Sequence, residues 1–151
     1  MNRVFSALRM AAILTCATGC GGPQKDFERT FERAVHFAVL TNGATIQLSS
    51  LTTFPWDKVF IFHPYITPEA IDKELGFKWS NAAKGELEYS DAFELLVFVR
   101  DGRVVKSARI HRKIGDWMLD NRNGFRPGEA AFVVNPPLGN METAFRIRGT
   151  N

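Results

Sequence analysis

The chain has 151 residues, 45% hydrophobic and 23% charged, with 13 phenylalanines, which is enough for one packed core and short for two. The formal net charge is +3, but removing Arg3 and Arg9 from the 19 basic side chains leaves 17 against 16 acidic ones, so the body of the chain lacks the electropositive footprint that nucleic acid requires. Both cysteines, Cys16 and Cys20, fall near the start, which leaves the rest without a thiol for a disulfide, a Cys-held metal or a Cys nucleophile.

The first element is a targeting segment. Arg3 and Arg9 supply a positive start, and residues 10–17 are mostly apolar. That stretch is too short to span a bilayer, which takes roughly 20 apolar residues; with small residues behind it, it has the pattern of a secretory signal. Ala17-Thr18-Gly19-Cys20 resembles a lipobox, the cleavage site of bacterial lipoprotein precursors. Ala17 stands where Leu is commonest in that family. Cys16 fits less well, because Thr15 before it is larger than the usual small residue. The resemblance implies a cut before Cys20, a diacylglyceryl group on its sulfur and anchoring to a membrane by lipid. Two or more acyl chains hold a protein stably where one holds it marginally. Gly21, in place of Asp, resembles the outer-membrane sorting pattern and implies the periplasmic side of the outer membrane in a Gram-negative cell. The expected organisation is a signal peptide over 1–19, a lipidated tether over 20–23 and one globular domain over 24–151.

Residues 24–40 carry Phe27, Phe31, Ala34, Val35, Ala38 and Val39 at helical spacing, which predicts an amphipathic helix. Asn42-Gly43 is its natural stop. Residues 44–48 alternate weakly, as a short strand does. Residues 58–62, Lys-Val-Phe-Ile-Phe, form an apolar β-forming run, expected as a central strand buried on both faces. Thr67 and Pro68 mark a helix start and Gly76 its end. Phe77 is placed to fold back near Ile71.

Asp101-Gly102 lies between two strand-like runs, residues 93–100 and 103–110, and predicts a hairpin with a two-residue turn. In the simplest register Val99 faces Val104, Val97 faces Lys106, Leu95 faces Ala108 and Glu94 faces Arg109. Phe93, Leu95, Val97, Val99, Val104, Ala108 and Ile110 then share one face. Residues 115–128 read as a polar loop carrying Trp117 and Met118. Residues 130–134 and 143–148 read as two further strands. The order is helix, two strands, helix and four strands. This predicts an α+β fold, with an antiparallel sheet and both helices on one face.

Trp56-Asp57-Lys58-Val59-Phe60-Ile61-Phe62-His63-Pro64-Tyr65, with the later Lys78-Trp79 and the Asp-Gly hairpin, resembles a segment of small uncharacterised bacterial lipoproteins. The similarity covers roughly residues 45–112. It implies a small anchored domain and brings no catalytic residue with it.

Chemistry is sparse. His36, His63 and His111 are scattered, and no His-Glu-x-x-His helix, Gly-x-Ser-x-Gly elbow or phosphate-cradling loop is present. No pattern calls for a cofactor or a metal. Trp56, Asp57 and Tyr65 flank the strand at 58–62, where aromatics beside a carboxylate suit recognition of a peptide or sugar. Arg100, Arg103, Lys106, Arg109, Arg112 and Lys113 form a basic run suited to anionic headgroups or an acidic partner. Arg109 and Arg112 are its binding candidates. Asp91, Glu94 and Asp116 show no hydrolase spacing. The expectation is a non-catalytic, lipid-anchored module that binds an envelope protein or has a structural role there. An immunity or inhibitor protein is one variant, and the alternative is an envelope hydrolase using His63 with Asp57 or Tyr65.

Overall fold

The computed structural model describes residues 23–41, 44–85, 87–118, 123–135 and 143–147; the expected signal segment, Cys20 and the Asn42-Gly43 stop lie outside them. Helix α1 spans Pro23–Leu40. It buries Phe27, Phe31, Val35 and Ala38, one apolar stripe at the helical repeat. Each buried Phe or Val adds about 1.5–3 kcal/mol. Strand β1 (Thr45–Gln47) leads into a single helical turn, α2 (Leu48–Leu51). Strand β2 is Lys58–Phe62.

Helix α3 is Pro68–Leu75. Its first turn is capped by the Thr67 hydroxyl, which accepts from the Ala70 amide at 3.3 Å. Gly76 ends the helix at φ +79°, where a side chain would be strained. Phe77 packs into the same apolar cluster as Ile71. Strands β3 (Phe93–Arg100) and β4 (Arg103–His111) follow, then β5 (Asp116–Trp117), β6 (Ala131–Asn135) and β7 (Ala144–Ile147).

The architecture is mixed α+β with two sheets and two main helices. One sheet has the order β2-β3-β4 and the other β1-β6-β7-β5. All pairs are antiparallel except β5 with β7, which run parallel. The single antiparallel sheet predicted from sequence is therefore corrected to two, and the loop expected over 115–128 contributes a short strand. Strand β3, not β2, is central in its sheet. Beside β2, a two-bond bridge joins Val59 to Phe125.

The two helices do not share a face. Val59 and Ile61 of β2, Leu96 and Phe98 of β3, and Ala108 and Ile110 of β4 pack in one cluster with α1. Phe60, Phe62, Leu95, Val97 and Val99 pack in a second cluster with Ile71 and Leu75 of α3. The physical reason lies in β3, which is apolar on both sides and needs cover on both.

The hairpin turn forms as predicted, with Asp101 at φ +49° and Gly102 at φ +68°, the two positive values of a type I′ turn. The Asp57 carboxylate accepts from the Asp101 amide at 2.8 Å and fixes the tip. The register then departs from the simple one. Val99 faces Val104, but Phe98 faces Lys106, leaving Val105 as the extra residue of a bulge. Beyond it Glu94 faces Ile110 and Leu95 faces Arg109, so the expected Glu94–Arg109 pair does not form. One inserted residue turns every later side chain to the other face. Ala108 and Ile110 consequently sit on the α1 side, and Val104 on the α3 side.

Candidate functional site

The polar centre of the molecule is Glu94. Its side chain sits in an otherwise apolar strand and the residue is 2% exposed. Extending the β2–β3 register one step past Phe62 and Leu95 brings His63 opposite it. The His63 Nδ1 lies 2.7 Å from Glu94 Oε1, and the Trp117 amide donates to Oε2 at 3.3 Å. Burial raises the Glu94 pKa above the ordinary glutamate value. The His63 hydrogen bond and charge and the Trp117 amide act against that shift, while the Asp116 charge adds to it. Glu94 thus orients an imidazole that is about half exposed (side-chain exposure 45%) and ties the three-stranded sheet to the four-stranded one. The sequence carried a signal for it: a lone carboxylate inside the apolar run at 93–99.

The residues singled out from sequence do not gather around this centre. Trp56 is 7% exposed, packs edge-to-face on Phe98 at 5.3 Å and donates its ring N–H to the Thr52 hydroxyl at 3.0 Å. Asp57 serves the hairpin turn, at the opposite end of β2 from His63, about 20 Å away at the strand rise. Tyr65 follows Pro64 with φ +65° and a side chain that is mostly exposed. Its amide donates to the Leu87 carbonyl at 2.7 Å.

Arg109 stacks its guanidinium over the Phe93 ring at 5.3 Å, and its amide donates to Glu28 on α1 at 3.1 Å. Arg112 makes a two-bond contact with the Asp116 carboxylate at 2.6 and 2.9 Å. It also reaches the Asp91 carbonyl at 3.2 Å. Both arginines fasten the fold as well as carrying charge. His111 accepts from the Lys113 amide at 3.1 Å and meets the Phe93 ring. His36 is exposed on α1. Among the described residues no three His, Cys, Asp or Glu side chains gather as metal ligands.

Among the described residues, two surface clefts stand out. One, about 340 Å³, lies beside α3 and is lined largely by apolar groups including Ile66, Ile71, Ala82 and Leu87, with Tyr89 at its rim. Tyr89 is 86% exposed. The other, about 350 Å³, lies at the first turns of α1 between Phe27, Phe54, Val105 and Lys106. Neither is lined by His63 or Glu94. Among the described residues no helix is long and apolar enough to cross a membrane. Compared with known proteins, the chain matches no family model, no curated protein and no solved structure.

Proposed function

We propose that this chain is a bacterial lipoprotein precursor, cut before Cys20 and held by lipid on that sulfur, whose domain over 24–151 is a non-catalytic protein-binding module of the cell envelope. The observation that carries the reading is Ala17-Thr18-Gly19-Cys20 behind a positive start and a short apolar stretch. Helix α1 begins at Pro23, so the anchor joins the domain almost without a linker. The apolar cleft beside α3, with Tyr89 at its rim, supports the binding role, because exposed aromatics beside an apolar pocket are what partner proteins anchor on. An immunity or inhibitor protein is the narrower form of this reading.

The test of the anchor is Cys20→Ser in a bacterial host. The wild-type chain should appear in membranes, shortened to begin at Cys20 and heavier by its acyl groups in intact-mass measurement. The Ser variant should keep its signal segment and gain no lipid. Normal trimming and membrane recovery of the variant would refute the anchor. For the binding role, a photo-crosslinking residue at Tyr89 should give a protein adduct in intact cells that the same residue at Lys113 does not.

A second reading, an envelope hydrolase, is favoured by the His63–Glu94 hydrogen bond, a carboxylate orienting an imidazole as general acid–base catalysis requires. The pairing with Asp57 has no such support, given their separation. This reading demands a hydrolytic activity that His63→Ala and His63→Gln both remove while the variants remain folded at the assay temperature.

A further inference from the structure

The cleft at the first turns of α1 is the described surface that the chain's own connectivity ties to the anchor. Two residues, Gly21 and Gly22, separate Cys20 from Pro23, and the three steps along the chain span at most about 11 Å. Three more along α1 to Asp26 add about 4.5 Å at the helical rise. A lipid on Cys20 therefore holds the bilayer surface within about 15 Å of this cleft, less than half the width of a globule of this size. The cleft beside α3 belongs to the apolar cluster on the far side of the β2-β3-β4 sheet.

The chemistry of the near face suits a headgroup layer. The bulge leaves Val105 without a strand partner and turns it outward, 45% exposed, next to the half-buried Phe54. Lys106 lines the same cleft and the exposed Arg103 lies two residues before Val105. Asp26 lines the cleft with Lys106, and the charges of Asp26 and Glu28 act on Lys106, so the surface is mixed in charge and matches a zone of phosphates and amines rather than hydrocarbon.

We infer that this face, Phe54, Arg103, Val105 and Lys106 beside the start of α1, rests on the headgroups of the membrane that holds Cys20. The inference rests on the lipoprotein reading. It fixes the orientation of the domain, with the α3 cleft and Tyr89 turned away from the bilayer and open to a partner.

The experiment uses the full chain with Val105→Cys, matured in bacteria and purified with its lipid. Cys16 leaves with the signal segment and Cys20 is blocked as a thioether, so the new thiol alone takes an environment-sensitive fluorophore. Tyr89→Cys is the companion variant. Both are reconstituted in vesicles of phosphatidylethanolamine and phosphatidylglycerol. Emission at position 105 should shift to the blue, and headgroup spin-labelled lipid should quench it several-fold more than at position 89. Equal quenching at the two positions, or stronger quenching at 89, overturns the orientation. Intact mass is read on the same samples. A mature chain without diacylglyceryl removes the lipoprotein reading and this inference together, whereas a lipidated chain with equal quenching removes the orientation alone.

Discussion

The two sheets reach their registers by different routes. In the β2-β3-β4 sheet, β3 and β4 are neighbours in sequence and a two-residue turn sets their alignment. In the β1-β6-β7-β5 sheet β6 and β7 also pair as near neighbours, but its two outer strands come from far along the chain, with Ile46 facing Phe132 and Trp117 facing Phe145. Local pairing costs little loop entropy; distant pairing must be offset by packing. That packing is aromatic. Trp117 lies 4.6 Å from Phe132, 4.7 Å from Phe145 and 5.6 Å from Phe31 of α1, with Phe31 also edge-on to Phe145. The difference teaches that the β3–β4 pair starts from its turn, whereas β1 and β5 are held at the edges of the other sheet by its core.

The comparison breaks most easily at Trp117. Trp117→Ala should cost about 3–5 kcal/mol, read by urea unfolding. Trp117→Phe should cost much less, because it keeps a ring there and removes a buried N–H that has no hydrogen-bond partner among the described residues. Equal losses for the two variants would deny that ring packing holds the four-stranded sheet.

Gly115→Ala tests how tightly that core closes. A Cβ there would stand 2.6 Å from the Phe145 ring and 2.9 Å from the Thr143 carbonyl, at φ +156°. The backbone oxygen cannot swing aside, so about 1–3 kcal/mol should be lost. A neutral result would mean that the β5–β7 contact is loose.

On the locally determined side, Thr67→Ala removes one cap from α3 and should cost about 1 kcal/mol. The loss should be restored largely by Ser or Asp. A larger loss, approaching that of Trp117→Ala, would erase the contrast between local and distant construction.

The smallest effect at any single pH belongs to Glu94→Gln, which is read as a slope. Glu94 holds its proton more tightly in the folded chain than in the unfolded one, chiefly through burial. Its contribution to stability is therefore fully present below the ordinary glutamate value and is lost as pH rises through the raised folded value. The difference in unfolding free energy between wild type and variant, measured across that window, should change in this direction. A difference that stays flat would show Glu94 to be as easily ionised folded as unfolded.

Much of the fold was legible because it is written in near neighbours. The bounds of β2 and β3, the Thr67–Pro68 start and Gly76 end of α3, the apolar stripe of α1 and the Asp101-Gly102 turn all follow from adjacent residues and short periods. The bulge was not legible, since nothing in Val104-Val105-Lys106 marks which residue is skipped. The parallel β5–β7 pair was not legible either, because two residues of a polar loop give no strand period. Of the candidate site, His63 was visible as a histidine at a strand end. Its partner is hidden along the chain, because the simplest hairpin register sets Glu94 opposite Arg109 and the bulge sets it opposite Ile110.

The sequence by itself determined where most elements begin and end, and it holds the lipobox-like stretch on which the proposed anchor depends, because caps, turns and short motifs act over a few bonds. Only the tertiary structure decided that there are two sheets, that the helices cover opposite faces of one of them, and that Glu94 meets His63 and the Trp117 amide. Those outcomes depend on a one-residue bulge and on which distant aromatic rings fill the same volume, and neither leaves a period along the chain.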